Sequence, residues 1–158
     1  MKLKLGINEV PFSGYINIDP APKETPSECE VVVGDPRISI GVAENNECIE
    51  ILAPNMLNYL HRTELVNFVS SWTGKLRHGG KIILGGVDGY EIAKKYSRKE
   101  INTEEYNTLL YGPAKCAWGY YLGAVSLNDI TELLESLGLK IIKREIVGLQ
   151  FIVIGVRE

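Results

Sequence analysis

Nine residues, Gly6 to Gly14, separate the first two strand-like runs of this chain, Lys2–Leu5 and Tyr15–Ile18. A parallel crossover takes a dozen or more residues and is usually an α-helix. This link is shorter than that and carries Pro11, which lacks an amide donor and breaks a helix interior. If the two runs are parallel, the first helix of an ordinary α/β unit is missing or reduced to a turn.

The rest of the chain alternates β-branched runs with helical periods, the pattern of a sheet covered by helices. Strands are predicted at Glu30–Val33, Cys48–Leu52, Lys81–Leu84, Leu139–Val147 and Leu149–Val156. Only Gly148 divides the last two, which predicts an antiparallel hairpin. Between Thr63 and Leu76, the residues Leu65, Val66, Phe68, Val69, Trp72 and Leu76 recur at helical spacing and predict a core-facing helix. Ser126-Leu127-Asn128-Asp129 has capping-box spacing, Ile130, Leu133, Leu134 and Leu137 form an apolar stripe behind it, and Gly138 stops it. Lys94, Lys95, Arg98 and Lys99 fall on a further helix and read as its solvated face. The segments Pro20–Pro26 and Pro36–Glu47 show neither period and read as surface loops. No internal repeat or composition boundary divides the chain, so residues 1–158 are expected to form a single domain.

Several function classes are disfavoured. A chain of 158 residues buries enough surface to fold without disulfides or a metal. Cys29, Cys48 and Cys116 are odd in number and far apart, and only two histidines accompany them, so no metal site is expected. The net charge of −3 comes without a basic stripe, which argues against a nucleic-acid partner. No apolar run approaches membrane-spanning length and the start has no leader pattern, so a cytoplasmic protein with no membrane partner is expected. Gly85-Gly86-Val87-Asp88-Gly89 lacks dinucleotide spacing, and neither Gly74-Lys75 nor Gly80-Lys81 continues as a phosphate loop.

Longer segments carry a resemblance. Leu3-Lys4-Leu5-Gly6-Ile7-Asn8, then Pro11, then Gly14-Tyr15-Ile16-Asn17-Ile18-Asp19 resembles a branch of the class I S-adenosylmethionine-dependent methyltransferases with a shortened first crossover. That branch reads Leu-x-Leu-Gly-Cys-Gly, a short loop, then Gly-Trp/Tyr-x-Asn-Val/Ile-Asp. Val31-Val32-Val33-Gly34-Asp35-Pro36-Arg37, Glu50-Ile51-Leu52-Ala53-Pro54-Asn55-Met56-Leu57-Asn58-Tyr59-Leu60 and Leu76-Arg77-His78-Gly79-Gly80-Lys81 are similar to its third-strand, fourth-strand and fifth-strand motifs. The resemblance implies a Rossmann-like α/β sheet of about seven strands, mostly parallel, with an antiparallel C-terminal hairpin and a ligand at the carboxyl ends of the first strands.

It also implies roles. Gly6 and Asn8 would form the turn against the cofactor's amino-acid portion, Asp19 would accept both ribose hydroxyls, Asp35 would receive the adenine amino group, and Ala53 would line the cofactor site. Asn55, Tyr59 and His61 would lie on the catalytic side. Three of these have a plainer alternative: Asp19 and Asp35 precede prolines and suit turns, and a lone histidine at a helix end, such as His61, is commonly just solvated. Trp118, Tyr120 and Tyr121 either cover the substrate site or pack as loop residues.

Asn8 stands where the branch has its second glycine, and asparagine is the residue that best tolerates positive φ after glycine. Asn58-Tyr59 replaces Glu-His and removes the most obvious acid/base group. Two expectations follow. One is S-adenosylmethionine-dependent methyl transfer to a small-molecule or sugar-like acceptor, where positioning carries much of the rate. The other is a non-catalytic methyltransferase-like binding or assembly module. A nucleotide-binding protein using Asp19 for a ribose is a third possibility.

Overall fold

The structure, a computed structural model, describes residues 1–37, 39–114 and 117–158, with Ser39 and Ile40 described by backbone alone. Cys116 lies outside the described residues, and Cys29 and Cys48 are free thiols. Seven strands form one sheet: β1 (Lys2–Leu5), β2 (Ile16–Asp19), β3 (Glu30–Val33), β4 (Cys48–Ala53), β5 (Leu76–Val87), β6 (Leu139–Val147) and β7 (Gln150–Arg157). Their order is β3-β2-β1-β4-β5-β7-β6, with β1 to β5 mutually parallel and β7 antiparallel to both its neighbours. The helices are α1 (Leu65–Lys75), α2 (Gly89–Ser97), α3 (Thr103–Tyr111) and α4 (Leu127–Ser136), with short 3-10 turns at Ser39–Val42 and Leu57–Tyr59.

The register divides the sheet into two chemically different faces. Leu3 aligns with Ile16 and Ile51, Ile51 with Ile82, and Ile82 with Gly155. Because side chains alternate along each strand, this face carries Leu3, Leu5, Ile18, Ile51, Ala53, Ile82, Leu84, Phe151 and Val153, which form one buried core with Val69 and Trp72 of α1 and Ile130 and Leu134 of α4. Each fully buried Leu, Ile or Phe there contributes about 1.5–3 kcal/mol. The opposite face carries Lys2, Lys4, Asn17, Glu50 and Lys81 alongside Leu52 and Ile83. Its charges pair across strands, as in the Lys81 to Glu50 ion pair at 2.9 Å.

The link between β1 and β2 contains no helix. It folds back as a loop fixed by Asn17, a buried residue of β2. The Phe12 N–H donates to Asn17 Oδ1 at 2.7 Å, and the two hydrogens of Asn17 Nδ2 are shared among the carbonyls of Phe12, Tyr15 and Glu30, which lie at 2.9–3.0 Å. One side-chain amide thus bonds the backbone of the link at Phe12 and Tyr15, where no helix does so, and ties it to the start of β3 at Glu30.

Some boundaries differ from the periodicity reading. α1 runs Leu65–Lys75 rather than Thr63–Leu76, because Thr63 is held in a turn by His61. β5 begins at Leu76, not Lys81: Leu76 pairs with Cys48, and pairing resumes at Lys81 opposite Glu50 after a register shift. Tyr15 and Leu149 fall just outside their strands, and the Pro36–Glu47 loop contains the Ser39–Val42 turn. The helix α3 has no counterpart in the periodicity reading because it buries no residue and shows no apolar stripe. Asn102, whose side chain caps Glu105 N at 2.8 Å, was its sequence signal. It stacks on α2 through Tyr96 and Tyr106, with centroids 4.0 Å apart.

Candidate functional site

At the carboxyl end of β1 the chain turns through Gly6 and Asn8. Gly6 N donates to Ile18 O at 3.1 Å, and Asn8 adopts φ 57°, the left-handed conformation that the glycine of similar turns supplies. The Asn8 side chain closes the turn by donating to Ala21 O at 3.0 Å.

Asp19, the last residue of β2, lies directly beneath this turn and is 4% exposed. Its Oδ1 accepts the backbone N–H groups of Asn8 at 2.9 Å and Ala21 at 2.8 Å, and its Oδ2 accepts that of Glu9 at 2.9 Å. An ionised carboxylate has about four acceptor positions, so the turn and the Pro20 corner take most of them.

Glu9 folds back over Gly6. A Cβ on Gly6 would lie 2.9 Å from Glu9 Oε2, so the glycine makes room for this carboxylate. Glu9 pairs with the Lys4 ammonium and accepts Asn55 Nδ2 at 3.1 Å on its other oxygen. The space bounded by Lys4, Gly6, Glu9, Asn17 and Asp19 is a cavity of about 10 Å³, too small for any ligand group.

Beyond the ends of β4 and β5 lies an open cleft of about 270 Å³, lined by Glu9, Lys23, Asn55, Asn58, Tyr59 and Tyr121 among others. Asn58 is buried, accepts Val87 N at 2.8 Å and donates to Gly123 O at 3.3 Å. It packs so closely on Gly86 that a Cβ there would meet its Oδ1 at 2.4 Å. Asn58 is therefore a strut between β5 and the segment leading into α4. Tyr59 and Tyr121 meet edge to face, with centroids 5.0 Å apart. Burial pushes the Tyr121 hydroxyl above its usual range, partly offset by a hydrogen bond with Tyr59, so it stays protonated at neutral pH and offers a hydrogen bond rather than a base.

The other residues singled out in the sequence have their own surroundings. Ala53 is fully buried in the core. Asp35 is clasped by Arg37, whose Nε and Nη2 reach its two oxygens at 2.6–2.9 Å and whose N–H adds a third contact at 3.0 Å. Burial raises the Asp35 carboxyl, but the Arg37 hydrogen bonds and charge together outweigh it and hold the group below the usual carboxylate range. Arg37 also lies over the exposed Trp118 ring at 5.8 Å. His61 Nδ1 contacts Thr63 Oγ1 at 2.7 Å and accepts Thr63 N at 3.3 Å, and His61 is absent from the cleft lining.

The structure thus brings Gly6, Asn8 and Asp19 into one turn and Asn55 and Tyr59 onto one cleft, while Asp35, Ala53 and His61 have separate surroundings. Lys4, Glu9 and Asn17, which organise the turn, were not singled out as site residues. Lys4 and Asn17 belong to the first-strand and second-strand motifs that carry the resemblance, whereas nothing in the sequence spacing points to Glu9. Among the described residues no group of His, Cys, Asp and Glu could hold a metal ion, and no helix is long and apolar enough to cross a membrane.

The strand order, with β7 inserted antiparallel between β5 and β6, is the deciding feature. This is the class I methyltransferase fold. No family model matches the chain, and no curated protein matches it. Solved structures do. An S-adenosylmethionine-dependent methyltransferase from Archaeoglobus fulgidus matches at TM-score 0.63 and 10% identity, over 98% of this chain and 86% of the other. The PH0226 protein from Pyrococcus horikoshii OT3 matches at TM-score 0.65 and 15% identity, over 100% and 83%. The Burkholderia thailandensis 1,6-didemethyltoxoflavin-N1-methyltransferase, solved with S-adenosylhomocysteine, matches at TM-score 0.57 and 11% identity, over 98% and 70%. Identities this low establish the methyltransferase fold and nothing finer.

The residues of the turn, as they stand, do not fit S-adenosylmethionine. Two ribose hydroxyls would need two free acceptor positions on Asp19, three of whose contacts are already made to backbone N–H groups. The Glu9 carboxylate fills the approach to Gly6.

Proposed function

We propose that this chain is a non-catalytic binding module built on the methyltransferase fold, in which the protein's own groups stand at the positions a cofactor would take, and the cleft beyond β4 and β5 receives a small polar ligand. The observation that supports this reading is the Asp19 carboxylate, buried and held by the N–H groups of Asn8, Glu9 and Ala21. Three of the roughly four acceptor positions of Asp19 are taken, so a ribose could engage it through both hydroxyls only by displacing a part-buried backbone donor, which costs up to about 1–3 kcal/mol when left unsatisfied.

The cleft favours a second reading, S-adenosylmethionine-dependent methyl transfer to a small-molecule or sugar-like acceptor. Asn55 and Tyr59 lie on it together, and in that reading they orient the acceptor rather than remove its proton. It requires Glu9 to leave Gly6 and the turn to release Asp19. Recognition of a nucleotide ribose by Asp19 meets the same obstacle.

Calorimetric titration with S-adenosylmethionine, S-adenosylhomocysteine and adenosine separates the three. The binding-module reading expects no heat from any of them. Micromolar binding of either S-adenosyl compound would replace it with the second reading, and binding of adenosine alone would favour the nucleotide reading.

A further inference from the structure

β6 is an outer strand of the sheet, paired with β7 on one side only. Its free edge is long, and Ile142, Ile146 and Val147 on it are 56%, 40% and 69% exposed. The two-residue turn Gly148-Leu149 joins Val147 to Gln150. In such a hairpin Val147, Glu145 and Lys143 bond β7, while Arg144 and Ile146 turn their N–H and C=O groups outward. A row of unpaired backbone groups is a template for another strand. Charges and a bulge ordinarily blunt such an edge, and β6 carries both, at Lys143–Glu145 and between Ile141 and Lys143. Here, however, the charges are ordered so that a copy of the same strand can pair with them.

We infer that β6 is a dimer edge, on which a second copy of this chain adds its own β6 antiparallel about a two-fold axis at Arg144. In that register Lys143 stands opposite Glu145, Ile142 opposite Ile146 and Ile141 opposite Val147. The neighbouring centres, Lys143 and Glu145, would each set a charge directly against its own copy, which is destabilising. Lys143 and Glu145 lie on one face, opposite Ile154 and Ile152, and pair within the strand at 3.0 Å. The dimer joins two such pairs into a ring of alternating charges. Arg144 meets its own copy, but its side chain lies on the other face and donates to Asn128 of α4, which holds the guanidinium on its own subunit. Glu145 and Val147 also line a cavity of about 330 Å³ with Pro54, Asn55 and Gln150. The added strand therefore borders a space that shares Asn55 and Gln150 with the cleft.

Sedimentation velocity at about 200 μM should find the wild type dimeric. Lys143→Glu and Glu145→Lys each bring like charges together on both sides of the axis and should raise the dimer Kd at least about tenfold. An equimolar mixture of these two variants should form a heterodimer, because every glutamate then faces a lysine. Arg144→Cys, with Cα atoms about 5.5 Å apart across the axis, should oxidise to an intermolecular disulfide at that position, read by peptide mass spectrometry. This last measurement decides the register whether or not the charge variants fold. A monomeric wild type, a single charge variant as dimeric as the wild type, no heterodimer from two folded variants, or no disulfide at position 144 overturns the inference.

Discussion

Asn17 and Phe12 are joined in both directions: the Phe12 N–H donates to the Asn17 side-chain oxygen at 2.7 Å, and the Asn17 amide donates back to the Phe12 carbonyl at 2.9 Å. This is the hydrogen-bond pattern of a paired backbone, made by a side chain, and it replaces a crossover helix with one residue. Asn17→Ala leaves the Phe12 N–H and up to three carbonyls without that partner and should cost about 2–3 kcal/mol. Urea unfolding checks it. A midpoint within error of the wild type would mean that the loop holds itself.

Asp19 has a comparable role at the other end of the turn. Asp19→Ala removes the acceptor for three backbone N–H groups and should lower stability by at least about 3 kcal/mol. Asp19→Asn, which keeps one acceptor oxygen and sets an amide against the remaining donors, should also be destabilised. If either variant unfolds at the wild-type urea concentration, Asp19 is not structural.

Asn58 makes a narrower prediction. Asn58→Ala strands the buried Val87 N–H and should cost about 1–3 kcal/mol. Because Asn58 stands between Gly86 and Gly123, hydrogen exchange should speed up at Val87 more than at the opposite end of β5. Uniform acceleration along the strand would contradict the strut.

At the amino end of the sheet, Tyr15 and Lys81 both donate to Glu50. Burial raises the Glu50 carboxyl, but the Tyr15 and Lys81 hydrogen bonds and the Lys81 and Lys2 charges outweigh it and leave it below its usual range. The hydrogen bond to Glu50, with burial and the Glu50 charge, pushes the Tyr15 hydroxyl up from 10.0 to about 12. A group raised on folding stabilises below its unfolded pKa and loses that contribution as pH climbs through the folded one. The Tyr15 contribution is therefore complete below pH 10 and gone above about 12. For Glu50 the sign is opposite, with stability present above the ordinary carboxylate pKa and lost as pH falls through the depressed value. Tyr15→Phe should flatten the alkaline loss and weaken the acid one, measured as unfolding free energy against pH. An unchanged alkaline limb would refute the assignment.

Much of this fold was legible because its signals are local. The nine-residue link announced the missing helix, the Leu139–Val147 and Leu149–Val156 runs announced the hairpin, and Ser126 and Gly138 bracketed α4. Asn8 was readable as a positive-φ residue from its type alone. The position of Glu9 was not, since a loop side chain lying back over Gly6 depends on Lys4 and Asn55, which come from two other parts of the chain. The start of β5 was hidden by the register shift after Leu76, and α3 by its lack of a buried face. For Asp19 the sequence leaves a ribose ligand and a turn residue before Pro20 both open, because its residue type and strand-end position are the same whether its carboxylate meets a ribose or a backbone.

In the proposed reading the turn's own N–H groups occupy the Asp19 carboxylate in place of a cofactor's ribose hydroxyls. The most direct measurement is NMR exchange protection of the Asn8 and Glu9 amides, with and without excess S-adenosylhomocysteine. The account predicts that both amides are protected and that neither their shifts nor their protection change when the compound is added. Loss of that protection with S-adenosylhomocysteine, together with shifts at Asp19, would contradict it and identify the turn as a working cofactor site.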